Sequence, residues 1–421
     1  MRPALLTALL LATPAAAQDG PEAVAAAALE AAPVWDGHND VPIQLRGRFH
    51  NVLDDFDFHD TQAHGEGPLK TAMHTDLPRL AQGKVGAQFW SVYVSASLPE
   101  PEAVQATIEQ IDVTKRLIAR YPEAMQLALT SADVEQALAR RRIASLIGME
   151  GGYSIGSSLA VLRQMYALGA RYMTLTHSIN TPWADSGTDE PEHDGLTPFG
   201  ELVVREMQRI GMLVDLSHVS EATMMDTLDV AEAHGGAPVI FSHSGARGVA
   251  AHPRNVPDAV LARMRDNGGI VMVVALPGFI SENVRQWTAR HAAERARLQS
   301  LHPESPSQVE AGLATWLAAN PPAKATVADL ADHIDRIREV AGIDHIGLGG
   351  DYDGMPSGPV GMEDVAGYPA LFVELARRGY SQGDLGKIAS RNMMRVLKAA
   401  EAYAAAHAGD PPFETRVGGQ D

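Results

Sequence analysis

The feature that most constrains this chain is an alternation. Short apolar or β-branched runs, each stopped by Gly, Asp, Asn or Ser, are separated by stretches with helical spacing. The runs predict strands at Val34–Asp40, Gln88–Val94, Ile143–Glu150, Tyr172–His177, Met212–His218, Pro238–His243, Gly269–Ala275 and His345–Asp351. Between them, Glu102–Arg120, Leu159–Leu168, Phe199–Ile210, Glu221–Ala233, Asp258–Asn267 and Val327–Val340 read as amphipathic helices. Eight strands alternating with helices predict an α/β fold, a parallel (β/α)8 barrel of the TIM type, whose usual ~250 residues can exceed ~400 with insertions. A doubly wound sheet is less well supported, because no G-x-G-x-x-G follows the first strand.

No internal repeat or linker divides the 421 residues, so one domain is expected over 34–400, with a lead-in at 18–33 and a tail at 401–421. Two insertions stand out. Leu45–Lys84 is rich in His, Asp and Gly, and Ile280–Ala325 surrounds Pro321-Pro322; both would follow strands on the barrel's active face. At the start, one positive charge at Arg2, an apolar run from Ala4 to Ala12, Pro14 and then Ala15-Ala16-Ala17 make up a secretory signal pattern over 1–17. The mature chain would begin near Gln18 and reside in the periplasm or outside the cell. No later stretch has the ~20 apolar residues of a membrane span, and the polar segment Gly409–Asp421 is no hydrophobic anchor signal.

Composition removes several function classes. With 52 acidic and 34 basic side chains the net charge is −18, which repels phosphate backbones and anionic membranes. Nucleic acid is therefore not an expected partner. With no cysteine there is no disulfide, thiolate zinc site, cysteine nucleophile or iron–sulfur cluster.

The strand ends carry the chemistry. His38 and Asp40 end the first predicted strand, and alternation would point both the same way. Glu150 ends the third, His177 the fourth, His218 the fifth, His243 the sixth and Asp351 the eighth. In a parallel barrel these C-terminal ends meet at one face, so residues more than 300 positions apart become neighbours. A carboxylate such as Glu150 at the end of an apolar run is costly unless paired or metal-bound. Imidazole and carboxylate donors without thiolate suit Zn²⁺, with Mn²⁺, Co²⁺ or Fe²⁺ as substitutes. His50, His59, His64 and His74 lie in the first insertion and are expected to be solvated or locally hydrogen-bonded.

The motifs are Trp35-Asp36-Gly37-His38-Asn39-Asp40, Gly148-Met149-Glu150-Gly151-Gly152, Leu175-Thr176-His177-Ser178-Ile179-Asn180 with Trp183-Ala184-Asp185, Asp215-Leu216-Ser217-His218, Ser242-His243-Ser244, Arg254-Asn255-Val256-Pro257-Asp258 and Gly349-Gly350-Asp351-Tyr352-Asp353-Gly354. Over Val34–Leu397 this order resembles the membrane (renal) dipeptidase family, peptidase family M19, within the metal-dependent amidohydrolase superfamily. The resemblance implies two Zn²⁺ per chain, held by His38, Asp40, His218 and His243 and bridged by Glu150. It further implies a substrate-polarising His177, a carboxylate-binding Arg254 and a proton-shuttling Asp351. The implied reaction is hydrolysis of a dipeptide by a metal-bridging hydroxide, extending to C-terminal D-residues and some β-lactams. Asp353 is a candidate supporting residue, while Tyr352 would face away.

Two departures matter. Val274-Ala275-Leu276-Pro277-Gly278-Phe279 replaces the polar and aromatic residues of the mammalian members at the end of the seventh strand. Without cysteine or an anchor signal, any homodimer would be non-covalent. An amidohydrolase for N-acyl amino acids, lactones or other small amides is the alternative enzyme reading, and a metal-dependent binding protein without turnover is the non-enzymatic one.

Overall fold

A computed structural model describes residues 20–62 and 71–415. The segment 1–17, expected from its sequence to be an export signal, and His64 lie outside the described residues. The strands are β1 (Val34–Asn39), β2 (Val85–Tyr93), β3 (Met125–Leu127), β4 (Ile143–Glu150), β5 (Ala170–Thr174), β6 (Leu213–Asp215), β7 (Ile240–Ser244), β8 (Ile270–Val273) and β9 (Ile346–Leu348). All pairings between them are parallel, in the order β2-β1-β9-β8-β7-β6-β5-β4, and a β2–β4 pairing closes the ring. This is the (β/α)8 barrel anticipated from the patterning.

The short β3 was not anticipated. It pairs with Ile143–Ser145 of β4, while β5 takes the later residues Ile147–Glu150. β3 thus fills the part of one β4 edge that β5 leaves bare.

Strand alternation divides the core in two. Trp35, Ala87, Phe89, Ala144, Leu146, Tyr172, Leu213, Ile240, Ile270 and Met272 pack together as the barrel interior, with Met393, Val396 and Leu397 of the helix Asn392–Ala406 against them. Neighbouring strand positions such as Val34, Trp90, Ile147, Met173, Phe241 and Val271 join the layer shared with the outer helices.

Local chemistry sets the helix limits. The helices Leu159–Leu168, Pro198–Ile210 and Glu221–Ala233 begin where Ser158, Thr197 and Ser220 accept the N–H of Val161, Gly200 and Thr223. Thr326 and Asp329 form a capping box before Val327–Val340. The helix Asn392–Ala406 runs on past residue 400, and Phe413 packs back onto the core.

The segment after β1 holds the helices Val41–Phe49 and Leu77–Gln82 and sends Phe56, Phe58 and Met73 into the core. The segment after β8 is different. The helices Glu282–Leu301 and Pro306–Ala319 pack on each other around Leu298, Val309 and Leu313, a small core of their own.

Candidate metal centre and active-site pocket

The barrel mouth gathers every residue singled out by the sequence. Ala144, Leu146, Gly148 and Glu150 alternate inward along β4, which brings the Glu150 carboxylate to the mouth. Gly148 is required there: a Cβ on it would stand 2.0 Å from Cζ of Tyr172, a fully buried side chain. His38 on β1 and His243 on β7 both sit where the ladder slips register, between Asp36 and Asn39 and between Phe241 and Ser244. Such slips re-aim side chains beside active sites.

Four placements differ from the sequence reading. Asp40 lies beyond β1, at the N-cap of Val41–Phe49, so it meets His38 through a turn rather than through strand alternation. His177, His218 and Asp351 each stand three residues past the ends of β5, β6 and β9. The extended ladder cannot reach His218 and Asp351, whose φ values are 71° and 62°.

The two carboxylate oxygens of Glu150 face different groups. Oε2 lies 3.5 Å from Nε2 of His38, which is itself 3.4 Å from Oδ2 of Asp40. Oε1 lies 3.0 Å from Nε2 of His218, 3.5 Å from Nε2 of His243 and 3.8 Å from Nε2 of His177. The Nε2 atoms of His218 and His243 are 2.9 Å apart. Ligand atoms of three groups converge within 4.8 Å: His38, Glu150 and His243; Glu150, His177 and His218; and His38, Asp40 and Asp351.

This donor set fits a divalent cation. Among the described residues Nε2 of His38 is buried with no hydrogen-bond partner, and carboxylate oxygens and ring nitrogens crowd together without enough protons to satisfy one another. Burial would raise the Glu150 carboxyl, but the charge of the neighbouring His38 and the hydrogen bond with His218 outweigh it and hold the group well below the usual range.

The remaining groups line a cavity of about 400 Å³ together with Asp40, Glu150, His218 and His243. Arg254, in the loop after β7, is buried; Nη2 donates to the His243 carbonyl oxygen at 3.4 Å, while Nε and Nη1 have no partner among the described residues. Burial brings its pKa down to about 10. Burial likewise lowers His177, whose ring lies 4.7 Å from that of Tyr93. Asp351 is pushed well above the carboxylate range by burial and the neighbouring Asp40 charge. Its backbone N–H donates to the His38 carbonyl oxygen at 3.1 Å. Gly354 admits this approach, since a Cβ on it would stand 2.1 Å from Oδ2 of Asp40 and 2.6 Å from Oδ1 of Asp351.

Sequence reasoning passed over several lining residues. Ile43, Gln44, Tyr93, Leu276 and Phe279 all face the cavity, and only the last two fell in a segment marked as unusual. His74 is neither solvated nor locally bonded. It is buried, its N–H donates to Oδ1 of Asp353 at 2.8 Å, and its Nδ1 accepts the Asp353 N–H at 3.1 Å. The first insertion is thereby tied to the pocket wall. Tyr352 does face away, donating to the Met362 carbonyl oxygen.

A profile of the membrane dipeptidase family, peptidase family M19, matches residues 22–410. Dipeptidase 3 of Rattus norvegicus is 41% identical over 387 residues, spanning 91% of this chain and 68% of that protein. An uncharacterized dipeptidase of Schizosaccharomyces pombe is 42% identical over 383 residues, spanning 88% of this chain and 81% of its own length. Among solved structures, the probable dipeptidase PvdM from Pseudomonas aeruginosa has the same fold, with a TM-score of 0.76 at 23% identity, over 91% of this chain and 99% of that one. The chain belongs to the membrane dipeptidase family, peptidase family M19, and is a metal-dependent dipeptidase of that family.

Proposed function

We propose that this chain is a dizinc hydrolase of dipeptides, with His38 and Asp40 holding one Zn²⁺, His218 and His243 the other, and Glu150 bridging the pair. The observation that carries this reading is the division of the two Glu150 oxygens between those groups, opposite an Arg254 with unpaired donors. A bound pair of ions would supply a water of lowered pKa and an electrophile for the scissile carbonyl.

The chain's own residues do the rest. The guanidinium of Arg254 donates to the free carboxylate of the substrate and fixes its C-terminal end. Ser178 Oγ lies 3.2 Å from Nδ1 of His177; a hydroxyl donating there leaves the hydrogen on Nε2, aimed into the cavity as a donor for the developing oxyanion. Asp351 accepts the proton of the attacking water and returns it to the leaving amine. Because the clamp reads the carboxylate and not the Cα substituent, C-terminal D-residues and some β-lactams fall within the proposed range.

The apolar wall of Ile43, Leu276 and Phe279 favours a second reading, hydrolysis of N-acyl amino acids or related small amides, which present the same carboxylate to Arg254. Export through residues 1–17, residence in the periplasm or outside the cell and a non-covalent homodimer complete the proposal. N-terminal sequencing of the exported protein and sedimentation would test them. The deciding experiment is hydrolysis of Gly-D-Ala, Gly-L-Ala and Ala-Ala by the zinc-loaded mature protein beside a chelated control. Metal-dependent turnover supports the dipeptidase reading; two bound zincs with turnover of N-acyl substrates alone would replace it by the second.

A further inference from the structure

The motifs Asp215-Leu216-Ser217-His218 and Ser242-His243-Ser244 give the site two histidines, yet Asp215, Ser217 and Ser242 have no part in the reaction described so far. All three are fully buried. Oδ1 of Asp215, at the end of β6, accepts the backbone N–H groups of Ser217 at 3.1 Å and Ser242 at 2.8 Å. Oδ2 accepts the hydroxyls of Thr174 at 2.5 Å and Ser242 at 2.6 Å. The Ser217 hydroxyl oxygen in turn accepts the His243 N–H at 3.0 Å.

Proton counting then fixes the neighbouring ring. Both oxygens of Asp215 act as acceptors, and the single hydroxyl proton of Ser242 is committed to Oδ2. The same Ser242 Oγ lies 2.9 Å from Nδ1 of His243. Having given away its proton, the oxygen can only accept from Nδ1, which must carry the hydrogen. Nε2 is left with its lone pair, facing Glu150 and His218.

We propose that Asp215, acting through Ser242, is a positioning residue that locks His243 in its Nδ1–H tautomer and strengthens Nε2 as a cation donor. The inference rests on His243 being a metal ligand. It is specific to this ring. His38 Nδ1 faces the hydroxyl of Tyr172 at 2.9 Å, which can donate or accept and so leaves the tautomer open, and Nδ1 of His218 has no partner among the described residues. A carboxylate backing a ligating imidazole is a recurrent device of metal sites, and its loss typically weakens binding about 10- to 100-fold. Here a serine hydroxyl stands between the two.

Ser242→Ala is the deciding variant, because it deletes one hydroxyl and leaves Asp215 its three other hydrogen bonds; Asp215→Asn is the companion. The first readout is the tautomer of His243 by ¹⁵N NMR of the metal-free full chain at pH 8, its signals identified by their absence from His243→Ala. The second is Co²⁺ affinity by optical titration, with far-UV circular dichroism and thermal unfolding alongside. The expected result is an Nδ1–H form in the parent chain, a shift towards Nε2–H in Ser242→Ala, and Co²⁺ binding weakened about 10- to 100-fold with the fold intact. A lowered melting temperature with unchanged tautomer and unchanged affinity would overturn the proposal in favour of a purely structural role. Full metal content in His243→Ala would instead overturn the ligand assignment beneath it.

Discussion

Arg254 can be tested in two directions at once, because its loss has opposite consequences for substrate and for fold. Arg254 is 3% exposed, and among the described residues the only hydrogen bond of its guanidinium is a long one to the His243 carbonyl oxygen. Its pKa falls from the usual guanidinium range to about 10, chiefly through burial, and at about 1.4 kcal/mol per unit that is a folding cost on the order of a few kcal/mol. The folded pKa lies below the unfolded one. The cost is therefore present in full below about pH 10 and fades as the pH rises from there towards the ordinary arginine range. Arg254→Met keeps the aliphatic stem and removes the charge, so at pH 7.5 the variant should unfold at equal or higher denaturant concentration than the parent.

Catalysis should move the other way. Two charge-assisted hydrogen bonds to a substrate carboxylate are worth about 1.5 to 3 kcal/mol each, together about 3 to 6 kcal/mol, or about 150- to 25,000-fold in kcat/KM. The assay compares Arg254→Met with the parent on a dipeptide and on its C-terminal amide, zinc-loaded in both cases. The dipeptide should lose that factor, largely in KM, and the amide should lose little. Equal losses on both substrates would show that Arg254 does not read the carboxylate. A destabilised variant would show that its unpaired donors are engaged in holding the fold.

Four further outcomes follow from the geometry. Glu150→Gln should lower the content of both metals together, as read by elemental analysis after dialysis; a variant retaining two tight ions would remove Glu150 from the bridge. Asp351→Asn should retain metal and KM while kcat drops about 100- to 10,000-fold, the usual worth of a general acid–base group, and near-normal turnover would exclude it from proton transfer. Gly148→Ala drives a methyl into Tyr172 and should cost about 1 to 3 kcal/mol in thermal unfolding, with weakened metal binding on the His38 side; parental stability would mean that the ring yields freely. Glu206 is sealed between Arg163 and Arg209, and although burial raises its pKa, the hydrogen bonds from these arginines outweigh that and lower it. Its folded pKa is depressed, so its contribution is present above the unfolded value near 4.5 and lost as pH falls through the folded one. Glu206→Gln should flatten the acid limb of a stability–pH curve, and an unchanged limb would contradict the pairing.

The barrel was legible because each buried strand is an apolar run with a hard stop, and because helix caps such as Ser158, Ser220 and Thr326 mark boundaries chemically. β3 was not: Met125-Gln126-Leu127 is too short to show a period, and it exists because the lower half of a β4 edge needs a partner. The eight proposed site residues were legible by type and order, since a barrel brings strand ends together whatever their separation in sequence. Their supports were not. His74 meets Asp353 across 279 positions, and Tyr172, Asp215 and Ser242 act through a neighbour's ring, so no local pattern announces them.

The way the chain leaves its strands explains why an acid precedes the proposed ligand in two of these motifs. Where a strand stops, backbone N–H groups lose their ladder partners and must find others, because a buried unpaired donor is costly. Oδ1 of Asp36 on β1 accepts the N–H of His38, two residues on, and of Gly350 beside the neighbouring β9. Oδ1 of Asp215 on β6 accepts the N–H of Ser217, again two residues on, and of Ser242 on the neighbouring β7. In each case one carboxylate oxygen replaces two rungs of the sheet, one on its own strand and one across the seam. The ladder can then slip register at His38, and the chain can turn out of it at His218 with its φ of 71°, without orphaning the donors left behind. The spacing of acid and ligand in Asp36-Gly37-His38 and Asp215-Leu216-Ser217-His218 is thus a backbone requirement first, and the metal-binding pattern is built on the bend that it permits.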